Sequence, residues 1–409
     1  MPQSNDLSRS SAALDQDSTL MAVIEMSQAS WLVGAIVPGV ERHPLKKLMP
    51  DAEALLRLLQ RWRDEAVRSG RTVTRIAVAY EAGRDGFWLA RWLRERGIEA
   101  HVIHASSVAV SREHRRAKTD RLDVTLLRRA FLGWLRGERG HCSMAAIPTL
   151  ETEDAKRPNR EHETLVGERT RIVNRMKSAL ARLGVRDFKP HLRKAPERLA
   201  ALRTPEGSAL PPNTLAELPH GTSPWAEGPR DMARLQLVKE QIAEIERARL
   251  ERLRQPPADA AQAMLGMLTR VVGVGVETAD VLVHELLVRN LRDRRAVARG
   301  ACPRAAHRAD PGGGITGAPD ESGARRRQKG LARAGNARVR RAMLQLAWRF
   351  LRFQKESALV KWFQARTADG RKTTRNTMIL ALARKLLIAL WRLATTGEVP
   401  QGVALRPAA

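Results

Sequence analysis

Cysteine is almost missing from this chain: Cys142 and Cys302 are the two present in 409 residues. Two thiols cannot build a disulfide framework or a four-thiolate zinc site, and a reducing compartment suits them. Long apolar runs are missing too. A bilayer span needs about 20 uninterrupted apolar residues, and even the run from Met378 to Leu393 is broken by Arg384 and Lys385. No membrane partner is therefore expected. The opening MPQSNDLSRSSAALDQDS has neither the basic start nor the apolar core of a signal peptide, so residues 1–19 read as a loose tail. Acid is in deficit as well: 44 Asp and Glu face 72 Lys and Arg, a net charge of +28. Such an excess excludes an ordinary metabolic enzyme and points to a polyanion, because each phosphate neutralised by Lys or Arg releases condensed counterions. DNA or RNA is the expected partner, and a cytoplasmic, nucleoid-associated location follows.

What is present divides into three parts. From Leu20 onward, strand and helix signals alternate: LMAVIEM, WLVGAIV, a charged helical stretch from Asp51 to Ser69, TRIAVAYE, the amphipathic GFWLARWLRERG with Gly97 as its stop, EAHVIHA, and a helical spacing from Val124 to Arg136. That order predicts an α/β domain over 20–150. Two long helical patterns follow, Lys156 to Leu183 and Arg230 to Arg254, where Leu235, Val238, Ile242, Ile245 and Leu250 share a face. They predict an antiparallel coiled-coil connector over 151–257, with a Pro-rich stretch from Lys189 to Pro229 between its helices. Residues 258–409 read as a mainly helical third domain, interrupted by a Gly- and Arg-rich region from Arg299 to Gly335. No internal repeat is visible.

Four acids hold telling positions. Glu25 lies inside an apolar strand, where a carboxylate is costly without a purpose. Glu81 ends the strand IAVAY ahead of Ala82 and Gly83, at the carboxyl edge where open α/β sheets bind ligands. Asp120 and Asp123 stand three apart where a helix begins, so both project to one side. Singly each has an ordinary reading: strand-edge ion pairs for Glu25 and Glu81, an N-cap for Asp120, a first-turn charge for Asp123. Together they have the order of the ribonuclease H-like nucleases, in which clustered carboxylates hold hard cations for phosphodiester chemistry. The loop ahead of the pair, with Arg112, His114, Arg115, Arg116 and Lys118, is basic enough to hold a phosphate backbone or, more simply, to be a solvated charge run.

The segments VIEMSQASWLVGAIVPG, YEAGRDGFWLARWLRERGIEAHVIHASSVAVSREHRRAKTDRLD and GITGAPDESGARRRQKGLARAGNARVRRAMLQLAWRF resemble those of the DEDD-type insertion-sequence transposases, family one-ten, related to the Piv DNA invertases. The resemblance covers roughly residues 20 to 400. It implies a RuvC-like, that is RNase H-like, α/β domain, a coiled-coil connector and a helical transposase domain. It assigns the catalytic acids, ligands of Mg²⁺ or Mn²⁺, to Glu25, Glu81, Asp120 and Asp123, and the nucleophile to Ser322. It also implies a structured non-coding RNA partner that pairs with donor and target DNA. Two DNA ends must be held at once, so a homodimer or homotetramer is expected.

Apart from the family, Ser322 has modest support: DESGARRRQKG sets Gly323 and the cations Arg325, Arg326, Arg327 and Lys329 beside it, though a loop serine next to glycine is commonly a turn residue. Two stretches depart from the family pattern, GACPRAAHRADPGGG after Arg299 and PHGTSPWAEGP at 219–229, and suggest a drifting copy. Two rival readings follow: a RuvC-like structure-specific DNA nuclease that does without Ser322, or a degenerate copy that only binds nucleic acid. The segment VVGVGVETADVLVHEL reads either as a phosphate-approaching helix-hairpin-helix or as a packed turn. Trp88, Trp92, Trp348, Trp362 and Trp391 read as core rather than as stacking platforms.

Overall fold

A computed structural model describes residues 10, 12–81, 83, 86–104, 107–108, 119–138, 140–192, 194–217, 230–289, 291, 293–298, 315, 317–322, 325–331 and 335–407. The basic loop (Arg112, His114, Arg115, Arg116, Lys118) and both departures from the family pattern lie outside the described residues.

Near-continuous apolar runs in the first strands send side chains alternately to two faces, and both faces are buried. The elements run β1 (Thr19–Met26), β2 (Trp31–Ile36), β3 (Leu45–Leu48), α1 (Ala52–Arg68), β4 (Arg75–Glu81), α2 (Trp88–Glu95), β5 (Glu99–Ile103), α3 (Asp120–Leu135) and β6 (Met144–Ala145). The sheet order is β3-β2-β1-β4-β5-β6. The β1, β2 and β3 strands form an antiparallel meander, β4 and β5 add parallel to β1, and β6 closes antiparallel. This is a ribonuclease H-like mixed α/β domain. Leu20, Ala22 and Ile24 of β1, with Val78, Tyr80, Ala100 and Val102, pack with Leu55, Leu58, Leu59, Trp62, Leu89 and Leu93 of α1 and α2. Met21, Val23, Ala77, Ala79 and Ile103 face the other way, against Val124, Leu127, Phe131 and Trp134 of α3.

The connector helices are α5 (Arg157–Ala181), entered through the short α4 (Leu150–Asp154), and α8 (Arg230–Arg254). Arg175 with Asp231, His162 with Glu246 and Arg249 with Asn159 pair in reversed sequence order, so α5 and α8 run antiparallel as the spacing predicts. Between them lie α6 (Ala195–Ala200) and α7 (Pro212–Glu217). The largely helical remainder comprises α9 (Ala260–Arg270), α10 (Val276–Leu282) continued by a π-helical turn (Val283–Leu287), α11 (Arg294–Ala298), the hairpin β7 (Gly317–Ser322) and β8 (Arg325–Leu331), then α12 (Ala337–Phe353), α13 (Ala358–Arg366) and α14 (Lys372–Thr396). Leu282, Leu286, Met343, Leu346, Phe350, Leu386 and Leu390 meet in its core. Among the described residues no helix is long and apolar enough to cross a membrane.

Candidate functional site

Strand alternation decides where the first two acids stand. Glu25 continues the Met21–Val23 side of β1 and Glu81 the Ala77–Ala79 side of β4, which is the side that α3 covers. The β1–β4 ladder runs in parallel register to Ile24 opposite Tyr80, so Glu25 and Glu81 are the next residues on neighbouring strands, both half-buried at the carboxyl edge. The α3 helix starts at Asp120 because Thr119, not Asp120, is the N-cap: its side chain accepts from the Leu122 N–H. Relieved of capping, Asp120 is exposed and Asp123 half-buried in the first turn, where helix-end peptide dipoles favour negative charge.

All four acids therefore belong to one side of the sheet, and all are oxygen donors of the kind that hard divalent cations take. Among the described residues, however, no group of three or more His, Cys, Asp or Glu is close enough to hold a metal ion. The chemistry of the donor set fits such an ion, while the helix pair and the strand pair do not close into a ligand shell in this conformation.

Ser322 is the last residue of β7, in register with Arg325 across the hairpin. Arg325, Arg326, Arg327 and Lys329 all lie along β8. The sequence predicts this segment inside a Gly- and Arg-rich interruption of the helical third domain; the structure makes it a two-stranded hairpin ahead of α12.

Comparison with known proteins identifies the family. Residues 39–184 match a family model described as Transposase, of DEDD type, and residues 311–383 match one described as Transposase IS116/IS110/IS902 family. The chain is also 37% identical over 395 residues to "Putative transposase y4rJ" of Sinorhizobium fredii (strain NBRC 101917 / NGR234), covering 94% of this chain and 93% of that protein. The chain belongs to the IS116/IS110/IS902 transposase family. Its general activity is that of a transposase, the recombination of DNA.

Two charge networks of the transposase were not legible in its sequence. Arg249, nearly out of solvent, lies 3.4 Å from Asp280 and donates to Asn159 Oδ1 at 2.9 Å, joining both connector helices to α10. Glu285, on the π-helical turn and 3% exposed, accepts from Asn336 Nδ2 at 2.8 Å. Asn336 is the N-cap of α12, so this bond holds the end of the helix that follows the Ser322 hairpin. The one sequence signal was the unexplained carboxylate within VLVHELL. The Gly-x-Gly segment forms the tight turn between α9 and α10: Gly273 has φ +96° and a β-carbon there would meet Phe353 Cβ at 3.3 Å, so α12 covers part of the turn. Of the five indoles expected in cores, Trp92, Trp362 and Trp391 pack partly buried against them, whereas Trp88 and Trp348 are 41% and 43% exposed. Cations lie over three of them: Arg96 at 3.7 Å from Trp92, Lys385 at 4.7 Å from Trp362 and Arg375 at 5.2 Å from Trp348.

Proposed function

We propose that this transposase cuts and rejoins DNA at the ends of an insertion sequence with Glu25, Glu81, Asp120 and Asp123 as the ligands of Mg²⁺ or Mn²⁺ and Ser322 as nucleophile. A structured non-coding RNA from the same element pairs with donor and target DNA and supplies sequence choice. The observation that carries the reading is the common sheet side of the four carboxylates, with two at the ends of adjacent strands and two in the first turn of the covering helix. A divalent cation held there supplies positive charge against a phosphodiester oxygen.

The residues of the chain divide the remaining work. Ser322 Oγ attacks phosphorus and forms an Oγ–P bond as one P–O bond of the DNA breaks, and the proton lost from the hydroxyl goes to the departing oxygen. Attack by a second strand's hydroxyl reverses the exchange and restores the serine. One phosphodiester is exchanged for another, so no external energy source is required. Arg325, Arg326, Arg327 and Lys329 on the partner strand, with Arg112, Arg115, Arg116 and Lys118 ahead of the Asp pair, supply cations for the nucleic-acid backbone. Two copies or more hold the two ends.

The test is covalent trapping. The protein and its element's RNA are mixed with labelled donor and target DNA in Mg²⁺, denatured and examined for labelled protein. An adduct that disappears in Ser322→Ala supports the assignment, and one that persists removes it. Strand cleavage without any adduct indicates the RuvC-like nuclease, and binding without cleavage an inactive copy.

A further inference from the structure

Lys156 stands where α5 begins and is 7% exposed. Its backbone is bonded within the turn and helix, but among the described residues its ammonium has no hydrogen bond and no ion pair. The placement is unfavourable on three counts. Burial of the side chain strips much of the water from around the ammonium. It sits at the positive end of a 25-residue helix whose first turn carries no acid and whose N-cap makes no side-chain bond. Arg289 and Arg160 add like charge. Burial first, then Arg289, holds the Lys156 ammonium below its ordinary range against the partial relief of Glu285.

The same Arg289 bears on His104, the residue after β5, whose Nε2 is buried and has no hydrogen-bond partner. The nearby carboxylates are engaged: Glu153 holds Arg91 at 2.8 Å, and Glu285 holds Asn336, with Arg160 at 3.8 Å. His104 and the turn that leads to Lys156 border the proposed catalytic edge. Ile103, just before His104, is in register with Glu81. A β-carbon on Gly86, in the loop after Glu81, would stand 3.7 Å from Glu153 Oε1, three residues before Lys156.

We infer that Lys156, Arg289 and His104 form a binding site for a phosphodiester of the nucleic-acid strand that crosses the carboxyl edge of the sheet. The phosphate provides the missing counter-charge to Lys156 and the α5 terminus, and His104 donates from Nε2. The inference rests on the reading that nucleic acid is worked on at this edge, but it does not require Ser322 chemistry. DNA and RNA offer the same phosphate, so the source is left to the experiment.

Binding of single-stranded DNA, duplex DNA and an RNA hairpin is measured against salt for the full-length protein, Lys156→Met and Lys156→Arg. Lys156→Met keeps the apolar stem; it weakens binding of the recognised strand roughly tenfold and lowers its log–log salt slope by about 0.7 to 0.9. Lys156→Arg restores the slope. The probe that shows the loss identifies the strand. If Lys156→Met instead raises the unfolding midpoint and leaves all three slopes unchanged, the lysine is an uncompensated structural charge and the inference is overturned. Should that variant not fold, Arg289→Gln and His104→Gln are measured the same way, and unchanged slopes in both overturn it equally. Covalent adduct is not read, so loss of the serine chemistry leaves this test intact.

Discussion

Gly34 lies directly under Val124: a β-carbon at Gly34 would stand 2.5 Å from Val124 Cγ1. The absent side chain lets α3 settle onto β1 and β2, and so fixes how near the first turn with Asp120 and Asp123 comes to Glu25.

Gly34→Ala tests that dependence. Valine is stiff about χ1 and cannot swing aside cheaply, so the helix must lift. A loss of about 1–3 kcal/mol in urea unfolding is expected, with strand cleavage falling more than nucleic-acid binding. Equal falls in both would mean that the height of α3 does not govern the site.

Asp280→Ala strands Arg249 in the interior without its carboxylate. Removing one partner of a buried pair costs about 3–5 kcal/mol, and thermal or urea unfolding measures it. Asp280→Asn, which removes the charge but keeps the size and a polar oxygen facing Arg249, is expected to cost less.

Acid stability should report Glu99. Burial raises its carboxyl, but the hydrogen bonds from His101 and Arg75 and their charges overcome this and bring it from 4.5 to about 2. A carboxyl depressed on folding contributes stability in full above its unfolded value and loses it as pH falls through the folded one. The contribution therefore drains away between about pH 4.5 and about pH 2. Glu99→Gln should flatten the unfolding midpoint across that window; an unchanged acid limb would remove the assignment.

Gly273→Ala decides between the two readings of the α9–α10 turn. A non-glycine residue in this left-handed region, pressed on Phe353 at 3.3 Å, costs about 1–2 kcal/mol. A packed turn loses that stability while the salt slope of DNA binding stays constant. A drop in slope would instead mean that the turn's amides meet a phosphate.

The large elements were legible because their patterns are long. Near-continuous apolar runs in β1, β2 and β4 must be covered on both faces, and the three-and-four spacing of α1, α5 and α8 leaves one face apiece to bury. The β3 and β6 strands went unread: LKKL and MA are too short to carry a period, and they exist because β2 and β5 offer edges to pair with. Asp120 was open to an N-cap reading because Thr119 and Asp120 both cap well in isolation; backbone geometry chose Thr119. Lys156 and Glu285 gave weaker signals still, since burial of a charge is not written in its neighbours along the chain.

The sequence by itself determined that this protein meets a polyanion, that an α/β half precedes a helical half, and that four acids fall within one strand, at the end of another and at a helix start. Charge and periodicity are sums over local composition, and no partner in space is needed to compute them. Tertiary structure alone decided that Glu25 and Glu81 lie next to each other on adjacent strands on the side covered by α3, and that the Ser322 segment is a hairpin ahead of a helix whose N-cap Asn336 is bonded to Glu285. Those relations join residues tens to hundreds of positions apart, and strand register and helix packing bring them together.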